Sequence, residues 1–134
     1  MDTEEKKSLY KDYLESEGFR PEIDSDGDVK FKNEGQTYFL MVYDDDAYFQ
    51  LLFPNFWSID SPDELLRARE AANFATRGTK VVKVFVRGDE LNTSAAIELF
   101  LDPPDAFKLV FPRAMRALRA GVETFANRMK ESMP

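Results

Sequence analysis

The stretch from Val29 to Phe53 constrains the fold more than any other part of the chain. Three strand-forming runs follow one another there, with turns too short to hold a helix. Val29 and Phe31 alternate with Lys30 and Lys32, Tyr38 to Tyr43 is a continuous apolar and aromatic run, and Tyr48 to Phe53 closes the series. Asn33-Glu34-Gly35 and Asp44-Asp45-Asp46 supply the turns. Parallel neighbours need a crossover of roughly a dozen residues or more, so these runs predict an antiparallel meander.

Helical periodicity flanks the meander. Leu9, Tyr10, Tyr13 and Leu14 recur at helical spacing behind a cap at Asp2 or Thr3, and Gly18 fits the left-handed position just past the helix end. Asp24-Ser25-Asp26-Gly27-Asp28 reads as a turn. Pro54-Asn55 breaks the third strand. Ser61-Pro62-Asp63-Glu64 starts a second helix, with a serine cap, proline in the first turn and glutamate three residues after the cap. That helix is predicted to run to about Arg77, with Leu65, Ala68, Ala72 and Ala75 inside. Val82, Val84 and Val86 then share one strand face; Ala95, Ile97, Leu99 and Leu101 share the next. Phe107, Phe111, Ala114, Leu118, Val122, Phe125 and Met129 form the stripe of a last helix, which Pro112 is predicted to kink or split. The expected order is α-βββ-α-ββ-α: an α+β, two-layer, mainly antiparallel five-stranded sheet with helices packed on it. A chain of 134 residues fits one domain, so residues 1–134 are expected to fold as a single unit.

The chain contains neither cysteine nor histidine. Disulfides, thiolate metal sites, cysteine nucleophiles and the commonest general base are therefore excluded. Carboxylate, lysine and tyrosine chemistry remain open. No GxSxG, P-loop or GxGxxG motif is present. Asp24, Asp26 and Asp28 imitate a calcium loop, but that loop needs glycine at its sixth place and glutamate at its twelfth; Val29 and Gly35 stand there. The expectation is a chain that is not an enzyme and takes no cofactor and no metal. The alternative is a small carboxylate-based enzyme or ligand-binding domain around Tyr43, Tyr48 and Glu98.

The net charge of −7 argues against nonspecific nucleic-acid binding, which rests on phosphate neutralisation. The charge is divided: residues 1–67 carry 17 acids and 7 bases, whereas residues 68–134 carry 8 acids and 11 bases. Charge segregation of this kind leaves a solvated surface, or a basic end that docks a partner. Arg113, Arg116, Arg119 and Arg128 lie on the polar side of the last helix. The start of the chain is charged and its apolar runs fall far short of the roughly 20 residues of a membrane span, so a cytoplasmic protein without membrane contact is expected.

Four aromatic residues are the candidates for an interface. Phe85 and Phe100 each fall on the polar face of their strand, out of phase with the valine and leucine face. Phe56 and Trp57, with Phe53, form a cluster that either packs under the loop before the second helix or anchors a partner. These residues, with the small-residue second helix, make a homodimer or another protein partner the expected assembly.

Trp57 and its loop, Ala71-Ala72-Asn73, Lys80-Val81-Val82-Lys83-Val84, Glu98-Leu99-Phe100-Leu101 and the Phe111 to Met129 helix resemble the YbjN family, described as bacterial sensory transduction regulators. The resemblance covers the second half of the chain by residues and the first half by pattern. It implies a type III secretion chaperone-like fold. It also implies a non-catalytic regulator or chaperone-like module that binds a partner protein segment, with no catalytic residues to carry over.

Overall fold

The computed structural model describes all of residues 1–134. Its elements are α1 (Thr3–Ser16), β1 (Glu22–Ile23), β2 (Val29–Asn33), β3 (Gln36–Met41), β4 (Tyr48–Ser58), α2 (Pro62–Gly78), β5 (Val82–Val86), β6 (Asn92–Phe100), a 3-10 turn (Pro104–Ala106) and α3 (Phe107–Glu131). The fold is α+β, and the strands form one antiparallel sheet in the order β1-β2-β3-β4-β6-β5. The sheet has six strands, not the five expected. The additional strand, β1, has only two residues, paired Glu22 to Lys30 and Ile23 to Val29. It exists because the acidic turn is itself a hairpin: Asp24 donates its N–H to the Asp28 carbonyl at 2.9 Å. Two residues carry no readable alternation.

The chain divides into two compact units, Met1–Leu52 with Glu98–Pro112, and Phe53–Ile97 with Arg113–Pro134. In the first unit, α1 begins with a capping box: Asp2 accepts the Glu5 N–H, and the Glu5 carboxylate accepts the Asp2 N–H. It ends at Gly18, whose φ of +90° lets the Phe19 N–H reach back to the Leu14 carbonyl at 2.9 Å. The β2–β3 hairpin turns on Glu34 and Gly35, both at positive φ, as a tight two-residue hairpin requires. Alternate residues of the strands then face one way. Val29 and Phe31, Tyr38 and Leu40, and Phe49 and Leu51 are all buried. Phe107 fills the centre, with ring centroids 4.8 Å from Tyr10, 5.0 Å from Tyr13 and 6.3 Å from Phe49. Each such fully buried ring contributes about 1.5–3 kcal/mol.

In the second unit Pro54-Asn55 does not end the strand as expected; β4 runs on to Ser58. Asn55 takes a φ of +55°, its N–H is accepted by Ser94 Oγ at 3.0 Å, and its carbonyl Oδ1 accepts Arg87. An irregular pair of residues with side-chain partners carries the proline that a regular ladder would reject. α2 buries Ala68, Ala71, Ala72 and Ala75, while Leu65 is only half-buried. Val82 and Val84 on β5 are buried opposite Ile97 and Ala95, which is the register the alternation predicted. Val86, Leu99 and Leu101 of the same face are half-buried. Pro112 does not split the last helix; α3 is continuous from Phe107 to Glu131. The proline stands near the helix start and is exposed, so it forfeits one hydrogen bond, to a carbonyl that water reaches. No helix is long and apolar enough to cross a membrane.

Candidate functional site

The strands of the first unit have a second face, away from the buried residues. Pairing places Phe39 beside Leu52 and Met41 beside Gln50, with Lys30 next to Phe39. All of these are half-buried. The sequence hid this face, because Tyr38 to Met41 is apolar on both sides and shows no alternation to separate them. A strand that reads as a continuous apolar run has apolar residues on both faces, and that was the available signal.

An aromatic ladder crosses the end of this face. Tyr43 and Tyr48 have centroids 5.1 Å apart, and Tyr48 and Phe100 are 6.1 Å apart. Tyr43 is 41% exposed and Phe100 79% exposed. The Tyr43 hydroxyl donates to Gln50 Oε1 at 2.8 Å, and the Tyr48 hydroxyl donates to Glu98 Oε2. Burial, then the Glu98 hydrogen bond and charge, push the Tyr48 hydroxyl far above the ordinary tyrosine range. Tyr48 is therefore a neutral donor, not a phenolate. The structure thus does bring Tyr43, Tyr48 and Glu98 together.

Lys6 fixes the turn from which this ladder rises. It is the one charged residue that α1 buries, at 1% exposure, and it donates to the carbonyls of Asp45 at 2.9 Å and Tyr48 at 2.7 Å. Burial lowers its pKa. Nothing in the helical pattern marked Lys6, which occupies a core position, four residues before Tyr10, that usually carries an apolar residue. The acidic turns are spent on backbone donors in the same way. Asp24 Oδ1 accepts the N–H groups of Asp26 and Asp28, and Asp28 Oδ1 accepts that of Val42 at 2.8 Å. Asp46 pairs with the terminal ammonium at 3.0 Å. No group of three or more carboxylates is gathered to hold a metal ion.

The four interface candidates have different surroundings. Phe100 belongs to the aromatic ladder. Phe85, in the second unit, is half-buried with Lys83 Nζ 5.0 Å from its ring centre, and β5 pairs it with Ser94, six residues before Phe100 on β6. The register therefore does not pair these two phenylalanines. Phe56 and Trp57 are half-buried; their rings pack edge-on against the buried Phe125 at 5.4 and 5.6 Å. Trp57 Nε1 also donates to Glu64 Oε2 at 3.2 Å. Of the arginines, Arg128 is held by Glu70, at 2.7 Å, and lies over the Phe74 ring.

No family model matches the chain, and no curated protein matches its sequence. Among solved structures, it is similar to the crystal structure of YbjN, a candidate transcription regulator from E. coli. That likeness has a TM-score of 0.63 at 12% identity and covers 90% of this chain and 92% of that one. It is a likeness of fold.

Proposed function

We propose that residues 1–134 act as a single cytoplasmic, non-catalytic regulatory module of the YbjN kind, which binds a protein partner through the open face of its sheet. The observation that carries this reading is the Tyr43–Tyr48–Phe100 ladder, which ends in a phenylalanine that is 79% exposed. Large aromatic residues anchor interfaces, and the two tyrosines add a polar tip to an apolar body. Support comes from the fold shared with the E. coli protein described as a candidate transcription regulator. Further support comes from Tyr48, whose raised pKa and engaged hydroxyl suit a fixed contact better than proton transfer. Phe85, in the second unit, is half-buried, and Phe56 and Trp57 offer only the edges left outside their packing.

Photo-crosslinking tests the reading. A benzoylphenylalanine at position 100 is expected to give one discrete protein adduct in cells, absent when the same probe replaces exposed Leu66 on α2. An adduct at twice the 15.5 kDa chain mass would identify the partner as a second copy. Position 100 giving no adduct, or the same smear as position 66, would remove the open face as the binding surface.

A further inference from the structure

The outer edge of the sheet is incomplete in a way that the register makes explicit. β1 pairs with β2 only at Lys30 and Val29. Continued in register, Arg20 would stand opposite Lys32, but Pro21 cannot donate to a ladder and the chain leaves the strand there. In the β2–β3 hairpin the closing pair is Asn33 with Gln36. Hydrogen bonding across antiparallel strands alternates, so the odd-numbered residues of β2 bond to β3 and the even-numbered ones face outward. Lys30 uses its outward groups on β1. Those of Lys32 face the place the chain vacated.

A groove of about 660 Å³ opens at that place, lined by Gly18, Phe19, Arg20 and Glu22, by Lys30 to Glu34 and by Thr37, so that two carboxylates and three cations border it. Half-buried Phe19, packed 5.2 Å from the fully buried Phe31, gives it an apolar floor. Arg20 and Lys32 are exposed cations at its rim, while Lys30 is engaged with Glu22 at 3.6 Å. A strand edge carrying lysine repels indiscriminate pairing. The same charge selects a strand that brings carboxylates.

We propose that this edge is a docking site for an extended acidic segment of a partner, which adds as a strand against Lys32. Its main chain takes the outward N–H and carbonyl of Lys32, and its acidic side chains lie against Arg20 and Lys32. Pairing along an exposed edge gives affinity through the main chain and selectivity through alternate side chains. The site is separate from the Tyr43–Tyr48–Phe100 face and stands or falls independently of it.

The test titrates the ¹⁵N-labelled chain of residues 1–134 with an acetylated, amidated Glu-Val-Glu-Val-Glu peptide and a lysine-for-glutamate control. The Lys32 amide is expected to shift and to exchange at least tenfold more slowly with the acidic peptide only. Binding should weaken at least tenfold in Lys32→Glu and in Arg20→Glu, and as salt is raised. Lys32→Met removes the ammonium alone, whereas Lys32→Pro removes the outward N–H as well; the proline variant should keep the β2–β3 cross-peaks and bind more weakly than the methionine variant. Any of these peptide responses overturns the proposal: no response at Lys32 up to millimolar peptide, equal binding of the lysine control, or shifts centred on Tyr43, Tyr48 and Phe100. Protection of the Lys32 amide that rises with protein concentration alone would also overturn it, by placing a second copy on the edge.

Discussion

Lys6 shows how much one buried charge can organise. Its ammonium lies 5.8 Å from the centre of the Tyr10 ring and donates to two carbonyls, of Asp45 and of Tyr48 at the start of β4. Lys6→Met keeps the aliphatic stem and removes the donors. Unfolding in urea should show a loss of about 1–3 kcal/mol, the cost of leaving buried acceptors unmet. The pH dependence has a definite sign. Burial lowers the folded pKa below the ordinary 10.5, so in the window between the two the unfolded chain binds more protons. Relative to Lys6→Met, the parent should gain stability as pH rises through that window and show no difference in slope below it. A flat difference across the alkaline range would mean that the ammonium is not desolvated.

Two elements owe their geometry to single residues. α3 approaches β5 closely because Gly121 has no side chain there; a methyl group on it would lie 2.6 Å from Val82 Cγ1. Gly121→Ala should destabilise by about 1–3 kcal/mol through overpacking, and adding Val82→Ala should restore much of the loss. If the single variant is as stable as the parent, the helix is free to move away. The β2–β3 hairpin has the opposite fault: Glu34 occupies a left-handed position at φ +52°. Asparagine adopts that conformation more readily, so Glu34→Asn should raise stability by about 0.5–1 kcal/mol, read as a higher urea midpoint at unchanged slope.

At the scale of the whole molecule, β4, β6 and α3 each run through both compact units. The single functional domain proposed above predicts one cooperative transition. Trp57 is the only tryptophan and lies in the second unit, packed on Phe125. Its fluorescence should change at the same urea midpoint as far-UV circular dichroism, which reports all three helices. Separated midpoints would mean that the units unfold independently. Phe100→Asp should leave that midpoint unchanged to within about 0.5 kcal/mol, because Phe100 is exposed. With the benzoylphenylalanine probe placed at exposed Tyr43 instead, any loss of adduct in this variant then reflects the surface and not the fold.

Local patterns of residues determined the order of elements, the antiparallel meander and the buried faces. Asp2, Ser61 and Gly18 mark helix ends because capping and left-handed turns are chemistry within a few residues. Val82 with Val84, and Phe107 with Phe111, mark faces because periodicity is local too. Only the tertiary structure decided what depends on groups distant in the chain. It paired Lys6 with carbonyls about forty residues away, carried β4 through Pro54 by giving Asn55 a partner at Ser94, and kept α3 whole at Pro112. It also separated the four aromatic candidates: Phe56 and Trp57 turned to Phe125, and Phe100 joined Tyr48. A side chain on the polar phase of a strand can be solvated, packed or presented to a partner, and periodicity cannot choose among these, because the neighbours that choose are brought there by the fold.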